Sequence, residues 1–270
     1  MSTLAVGNEV VGYVEDGDDE STAPPVLFIP GTSMDRTAWD MVRAELPAGL
    51  RYVTVELPGS GESSMPTAPL TVEGIADQAA EVMVHLGHER YHVAGYSLGA
   101  VIALGIAARE SAHVASATAL CGWATTDARM KFTFGLWQRL IATDPALFMR
   151  YAVADGFTAN AIAGLEPMLE DVVALGATAL APGTHEQLDL DAVVDITGLL
   201  GAITAPTLII GAAEDRWVDI VHSQDLHQRI AGSRLEILPA GHIVIQELAG
   251  EVAKLLSAHV GSGARAASES

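Results

Sequence analysis

The chain is poor in cysteine and contains no long apolar run. Cys121 is the only cysteine among 270 residues, so an intramolecular disulfide and a cluster of cysteine metal ligands are both excluded. It lies in an apolar segment, which favours an inert buried thiol over a catalytic one. No apolar run reaches the roughly 18–20 residues that a membrane-spanning helix needs. We therefore expect no membrane partner.

Basic residues are also scarce. The chain has 14 Lys and Arg against 34 Asp and Glu, a formal net charge of −20. Such a field repels nucleic acid and anionic membrane surfaces, so we expect a small-molecule substrate and no nucleic-acid partner. The first residues lack the basic segment followed by an apolar stretch that marks a signal peptide, so we expect a cytoplasmic protein. The sequence is compatible with both a monomer and a homo-oligomer.

Hydrophobic residues make up 50% of the chain, enough for a sizeable core at this length. Apolar β-type segments alternate with helix-type segments up to residue 123, and the alternation resumes at 201. This pattern predicts a mostly parallel sheet covered by helices on both faces. A sheet of this kind binds its ligand at the carboxyl ends of the strands.

The alternation stops between residues 124 and 200. The pattern there is helical, interrupted by Pro145, Pro167 and Pro182, and its first part is dense in aromatic residues and Met. We interpret this segment as a helical cap, or lid, that supplies an apolar wall to a pocket, although an ordinary helical core has the same pattern. The predicted domains are a core of 1–123 and 201–260 and a cap of 124–200. The small polar residues of 261–270 predict a disordered tail.

The segment Gly95-Tyr96-Ser97-Leu98-Gly99 follows a strand-like run and precedes a helix-like run. That context is typical of a nucleophile elbow, in which a serine occupies a tight turn from strand to helix. The glycines let the backbone bend. The start of the helix presents free N–H groups and a positive dipole end to charge that develops beside the serine. A five-residue pattern alone is short, so its meaning depends on partners elsewhere in the chain.

A serine hydroxyl becomes nucleophilic when a base lies within hydrogen-bond reach, and the base in turn needs an acid. The predicted strand 207–210 is followed by Asp215, and the predicted strand 234–238 is followed by His242. Both side chains come at the carboxyl ends of strands, on the same sheet edge as Ser97. Their order along the chain is serine, acid, histidine, which is the order of one hydrolase superfamily.

Other residues compete for these positions. Glu214 and Asp219 compete with Asp215, and Asp127 is a further candidate for the acid. Among the remaining histidines, His92 lies inside a predicted strand, which favours a structural role. His222 lies on a predicted helix with polar neighbours, which favours a solvated side chain.

Together these features resemble the α/β-hydrolase superfamily, in its lid-bearing serine esterase and perhydrolase-like branch. The resemblance covers most of residues 5–260. It rests on G-Y-S-L-G at 95–99, the strand and G-A-A-E-D block at 207–215, A-G-H at 240–242, and a turn at 56–63 that is similar to D-x-x-G-x-G-x-S. It implies an α/β fold with an eight-stranded, mostly parallel sheet flanked by helices, and a helical cap inserted after the sixth strand.

The resemblance also implies roles for individual residues. Ser97 would be the nucleophile, His242 the general base and then the general acid, and Asp215 the residue that orients His242. The backbone N–H groups of Thr32 and Leu98 would form the oxyanion hole, and the Thr32 hydroxyl is available for a further hydrogen bond. The candidate substrate pocket comprises Gly31, Tyr96, Trp123, Phe134 and Trp137. For Trp123, capping the core is an equal alternative.

Two positions depart from the family pattern. Pro30 stands where a supportive histidine is usual, and Glu56 replaces the usual aspartate. A serine rather than an aspartate at position 97 argues against the haloalkane dehalogenases and epoxide hydrolases of the superfamily.

The implied function is a serine hydrolase that cleaves a carboxylic ester, thioester or lactone of a partly hydrophobic small molecule through an acyl-enzyme on Ser97. The same catalytic triad is compatible with perhydrolysis, acyl transfer, or a lyase or cyclisation step. A ligand-binding, receptor-like protein with little turnover is an alternative of another class. We expect no cofactor and no metal site.

Overall fold

A computed structural model describes the backbone of residues 2–268 and the side chains of residues 2–261. These residues contain a single eight-stranded sheet, which confirms the predicted fold class. The strands are β1 (Ser2–Val6), β2 (Glu9–Gly17), β3 (Val26–Ile29), β4 (Arg51–Val55), β5 (Tyr91–Tyr96), β6 (Val114–Leu120), β7 (Thr207–Ala212) and β8 (Arg234–Leu238).

The strand order is β1-β2-β4-β3-β5-β6-β7-β8. The pairs β1–β2 and β2–β4 are antiparallel, and all other neighbours are parallel. Strands β3, β5, β6 and β7 are buried along their whole length, as expected for parallel strands covered on both faces. Their carboxyl ends therefore form one edge, at which the residues after β5, β7 and β8 meet.

Helices cover this sheet on both faces. In chain order they are α1 (Asp40–Ala44), α2 (Val72–His85), α3 (Leu98–Arg109), α4 (Ala128–Thr143), α5 (Pro145–Gly156), α6 (Ala159–Leu165), α7 (Leu169–Ala179), α8 (Thr184–Asp191), α9 (Thr197–Leu200), α10 (Ile220–Arg229), α11 (Val244–Glu247) and α12 (Ala249–Ser268). Within residues 2–268, no helix has both the length and the apolar character that crossing a bilayer requires.

Alternate residues of the strands face two separate apolar clusters. Leu27 and Ile29 belong to the cluster that includes α2, α3 and much of segment 124–200. Val26 and Phe28 belong to the cluster that includes α1, α11 and α12. Because successive side chains of a strand point to opposite faces, these clusters lie on the two sides of the sheet. Burial of both faces fixes the position of the sheet edge that carries the candidate site.

Residues 124–200, here called the cap segment, join β6 to β7 through helices α4 to α9. Sequence signals set several of its helix boundaries. Pro145 is the first residue of α5, where its missing N–H has no cost. The side chains of Asp127, Asp144 and Thr158 cap the starts of α4, α5 and α6, which satisfies free backbone N–H groups. The division into a core and a cap domain stays a prediction.

Helix α12 ends at Ser268, inside the segment 261–270 for which the sequence predicts a disordered tail. Residues 269 and 270 lie outside the described residues, and so do the side chains from 262 onward. That prediction is therefore untested.

Candidate active site

Ser97 lies in the turn between β5 and α3. Its backbone angles are φ 56° and ψ −122°, a conformation that is strained for a residue with a side chain. The flanking glycines are required by close packing. A Cβ on Gly95 would lie 1.9 Å from the carbonyl oxygen of Gly99, and a Cβ on Gly99 would lie 2.3 Å from that of Ile29. The turn is therefore held tightly against the end of β3 and presents Ser97 at the sheet edge.

Ser97, His242 and Asp215 form a continuous row of hydrogen bonds. Nε2 of His242 lies 3.0 Å from Oγ of Ser97, and Nδ1 of His242 lies 2.7 Å from Oδ2 of Asp215. Because a carboxylate only accepts, Nδ1–H is the donor and Nε2 is left to accept the serine proton. The other carboxylate oxygen, Oδ1, accepts the backbone N–H groups of Trp217 and Val218 at 2.8 Å each. This row is the arrangement that a general base for a serine requires.

The competing acids lie elsewhere. Glu214 and Asp219 are exposed, and Asp219 caps the start of α10. Asp127 caps α4 and lies 3.3 Å from Nε2 of His222. His222 is buried, so the prediction that it is solvated is wrong. Its contact with Asp127 depends on two segments almost a hundred residues apart, which no local pattern indicates.

His92 has the structural role that its strand predicts. It is buried in β5, and its Nδ1 lies 2.7 Å from the hydroxyl of Ser116 on β6. Burial lowers the pKa of His92 to about 4, and the nearby His259 and Arg90 act in the same direction. The ring therefore stays neutral inside the sheet.

Two aromatic residues enclose His242. The hydroxyl of Tyr96 donates to the carbonyl of His242 at 3.0 Å, and the two rings are 5.3 Å apart. The ring of Trp217 lies 4.8 Å from that of His242 on tilted planes. Burial raises the pKa of Tyr96 well above its ordinary value, so its hydroxyl remains a donor. The sequence analysis did not single out Trp217, although it comes only two residues after Asp215.

The loop that carries His242 is joined to the cap segment. Oε1 of Glu247 accepts the N–H of Gly241 at 3.1 Å and that of Thr158 at 3.0 Å, and Oε2 accepts the Thr158 hydroxyl at 2.7 Å. The N–H of Ile243 donates to the carbonyl of Gly156 at 3.1 Å. The histidine loop and the end of α5 therefore hold each other in place.

The candidate oxyanion donors lie next to Ser97. Leu98 is the first residue of α3, so its N–H has no partner within the helix. Among the described residues, no hydrogen bond is made by the N–H of Thr32. Gly31 packs closely here, because a Cβ on it would lie 3.2 Å from Cβ of Ser97. The Thr32 hydroxyl is not available as an extra donor, since it donates to Oδ2 of Asp191 at 2.7 Å.

A cavity of about 500 Å³ lies beside the site, with Thr32 in its wall, although Ser97, Leu98 and His242 are not among the described residues that line it. Thr32 lines it on one side, and Trp217 and Ile243 line it beside His242. Most of the remaining wall is apolar and comes from α5, α7 and α8 of the cap segment. Asp35 is the one charged side chain among the described residues that line it. The volume and the apolar wall are typical of a small-molecule site.

The five predicted pocket residues fall into three groups. Trp137 lines the cavity. Trp123 and Phe134 are buried in the aromatic cluster behind Trp137, and Nε1–H of Trp123 donates to the Thr126 hydroxyl at 2.9 Å. Gly31 and Tyr96 lie beneath the site, against Ser97 and His242. The sequence analysis missed the wall residues Val153, Leu175 and Leu188, whose helical spacing alone does not distinguish a pocket from a core.

A family model described as the alpha/beta hydrolase family matches residues 26–255. The chain belongs to this family. This hydrolase is 28% identical over 251 residues to a pyrrolizixenacetamide deacetylase of Xenorhabdus hominickii, covering 90% of this chain and 91% of the relative. The family and the hydrolytic activity that this name states support an enzyme with hydrolase activity.

Solved structures show the same fold. The enol-lactonase from Burkholderia xenovorans LB400 superposes with a TM-score of 0.84 at 21% identity, covering 96% of this chain and all of that chain. A thermophilic esterase from Thermogutta terrifontis superposes with a TM-score of 0.82 at 23% identity, covering 97% of both chains. The family match confirms the resemblance inferred from the motifs at the level of the superfamily, and these structures agree with it in fold.

In this hydrolase, Cys121 lies directly beside the row of hydrogen bonds. Within residues 2–261 it forms one group with Asp215 and His242, whose potential metal-ligand atoms all lie within 4.8 Å of one another. Burial, reinforced by the charge of Asp215, raises the pKa of the Cys121 thiol well above its ordinary value. The thiol therefore keeps its proton at neutral pH. The hydrogen bonds of Asp215 and His242 join them to each other, to Ser97 and to the backbone N–H groups of Trp217 and Val218.

Proposed function

We propose that this hydrolase cleaves carboxylic esters of small, uncharged, partly hydrophobic molecules through an acyl-enzyme on Ser97. The observation that carries the proposal is the row from Ser97 through His242 to Asp215, with separations of 3.0 and 2.7 Å. Thioesters and lactones present the same electrophilic carbonyl group and fall within the same chemistry.

The first half of the reaction acylates the serine. Nε2 of His242 takes the proton of the Ser97 hydroxyl as Oγ bonds to the carbonyl carbon of the ester. The negative charge that develops on the carbonyl oxygen is stabilised by the N–H groups of Thr32 and Leu98. When the bond to the alkoxy oxygen breaks, His242 returns its proton to that oxygen and the alcohol leaves.

The second half repeats these steps with water. His242 takes a proton from water, the hydroxide bonds to the acyl carbon, and the bond to Oγ breaks as Ser97 regains its proton. Asp215 stabilises the imidazolium in both halves through the hydrogen bond to Nδ1. The two backbone N–H groups that bind Oδ1 of Asp215 keep this carboxylate oriented throughout.

The cavity supports the proposed substrate class. Its wall includes Trp137, Phe148 and Trp217 and offers no basic side chain among the described residues to pair with an anionic substrate. Hydroxyl groups of Ser33, Thr184 and neighbouring residues add limited polarity. We therefore favour a neutral ester with an apolar part large enough to fill much of the cavity.

The test compares wild type with Ser97→Ala on neutral acyl esters of graded chain length, with an N-acetyl amide included because the deacetylase relative acts on one by name. We expect labelling of the wild type alone by a fluorophosphonate, and a loss in turnover of at least about 1000-fold in the variant. Ser257→Ala, on α12, is the matched control and should behave as wild type. Equal turnover by wild type and Ser97→Ala would contradict the nucleophile assignment.

A further inference from the structure

Helix α8 of the cap segment makes three polar contacts with the loop that follows β3. The Thr32 hydroxyl donates to Oδ2 of Asp191 at 2.7 Å, and the N–H of Ser33 donates to Oε1 of Gln187 at 2.7 Å. The Thr184 hydroxyl donates to the Ser33 hydroxyl at 2.7 Å. The loop is strained at this point, because Ser33 has a φ of 65°, and strain of this kind persists only where neighbours impose it.

Helix α8 is also fixed to the turn at residues 56–63, partly through the same Gln187 side chain. Nε2 of Gln187 donates to the carbonyl of Pro58 at 2.9 Å and to the Ser60 hydroxyl at 3.1 Å. Gly59 and Gly183 pack so closely that a Cβ on Gly59 would lie 2.4 Å from Cα of Gly183. The helix is therefore a fixed support against which the loop can be positioned.

Asp191 is an unexpected residue at this contact. Its side chain is buried, with 1% of the residue exposed, and Oδ1 has no hydrogen-bond partner among the described residues. A buried carboxyl with one unsatisfied oxygen destabilises a fold. An apolar residue would carry no unpaired oxygen, and an amide would at least avoid a buried charge. The presence of an aspartate at position 191 is therefore better explained by its effect on Thr32 than by a contribution to the stability of the fold.

We propose that Asp191 is a positioning residue, which acts through the Thr32 hydroxyl to hold the backbone N–H of Thr32 towards the oxyanion. This inference rests on the proposed function, because it assigns Asp191 to the same reaction. An oxyanion donor must lie about 2.7–3.1 Å from the position that the charged oxygen will occupy. Small displacements of Thr32 are therefore sufficient to lower the rate. The cap segment thereby completes the catalytic site as well as covering it.

The test measures kcat and KM separately for Asp191→Ala and Asp191→Asn on the best neutral ester. Because an oxyanion hole acts mainly in the transition state, Asp191→Ala should lower kcat by about 10- to 100-fold while KM changes by less than about threefold. Asp191→Asn keeps an acceptor for Thr32 and should restore most of that loss. Asp189→Ala is the matched control, since Asp189 lies on the same helix, is exposed and bonds to Gln138, and it should retain wild-type kcat.

A double-mutant cycle with Thr32→Val tests the route of the effect. If Asp191 acts through the hydroxyl, Thr32→Val should lower kcat as Asp191→Ala does, and the double variant should lose no more than either single variant. The fluorophosphonate labelling rate of Ser97 provides the same comparison independently of ester turnover.

Wild-type kcat in Asp191→Ala, or additive losses in the double variant, would overturn the positioning role. So would equal losses of kcat in Asp191→Ala and Asp191→Asn. Each of these results leaves the proposed function intact as long as Ser97→Ala is inactive. Failure of the proposed function would appear instead as turnover by Ser97→Ala. If Asp191→Ala does not fold, Asp191→Leu takes its place in the same comparisons, because leucine fills a similar volume and offers the Thr32 hydroxyl no acceptor.

Discussion

The difference in free energy of unfolding between Asp191→Asn and wild type should shift in favour of the variant as pH rises. Burial raises the pKa of Asp191 from 3.8 to about 7, although the hydrogen bond from Thr32 acts in the opposite direction. A shift of this size corresponds to roughly 4 kcal/mol of differential stability, at 1.36 kcal/mol per pKa unit.

The direction of this pH dependence is set by the number of protons that the folded and the unfolded chain bind. Below pH 3.8 the carboxyl is protonated in both the folded and the unfolded chain. Between pH 3.8 and about 7 the unfolded chain releases this proton and the folded chain keeps it, so the free energy of unfolding falls as pH rises. Above pH 7 the loss is complete. The Asn variant has no such proton, so its advantage should grow by roughly 3 kcal/mol between pH 5 and pH 8.

Urea unfolding of both proteins at pH 5, 6, 7 and 8 provides the measurement. All other titrating groups are common to the two proteins, so the difference between their curves isolates Asp191. Asp189→Asn, an exposed change on the same helix, should follow wild type at every pH. Curves for wild type and Asp191→Asn that stay parallel from pH 5 to pH 8 would show that the folded protein ionises Asp191 normally, and would refute this reasoning.

Two further predictions concern the sheet and the elbow. Because the pKa of His92 is lowered to about 4 in the folded protein, protonation of His92 should contribute a loss of roughly 3 kcal/mol of stability as pH falls from 6.5 to 4, opposed by the gain from Asp191 over the same range. His92→Gln removes only the first contribution, so its stability relative to wild type should rise as pH falls in urea unfolding curves, and a constant difference would contradict this prediction. Gly99→Ala should prevent folding or abolish ester turnover, because its Cβ would lie 2.3 Å from the carbonyl oxygen of Ile29. The control Gly135→Ala on α4 meets no atom within 4 Å and should raise the free energy of unfolding by about 0.5–1 kcal/mol. Wild-type activity in Gly99→Ala would show that the elbow relaxes.

The sequence predicted the three side chains of the hydrogen-bonded row because each follows a strand with a clear pattern. Ser97, Asp215 and His242 come after β5, β7 and β8, whose carboxyl ends lie along one sheet edge. Parallel pairing then brings the side chains together whatever the details of the loops. The alternation of apolar segments likewise predicted the sheet, although β1 (Ser2–Val6) is short and half exposed and carries little pattern of its own.

What the sequence did not indicate depends on long-range packing. The contact between Thr32 and Asp191 joins residues 159 positions apart, and buried His222 lies 3.3 Å from Asp127, which is almost a hundred positions earlier in the chain. The cavity wall could not be predicted either, because the apolar face of a cap helix has the same sequence pattern whether it packs on a core or borders a pocket. Those features require the three-dimensional arrangement of the cap segment.

The bridge that Glu247 forms between Gly241 and Thr158 has a consequence for building chimeras in this family. Segments inserted after the sixth strand are attractive units to exchange between homologues when new selectivity is wanted. Here such a transplant would remove Thr158 and leave a carboxylate on the recipient scaffold without two of its three donors. A productive exchange must therefore keep Glu247 and Thr158 matched, so that the transplanted cap segment still donates to the carboxylate and the histidine loop of the recipient retains its shape.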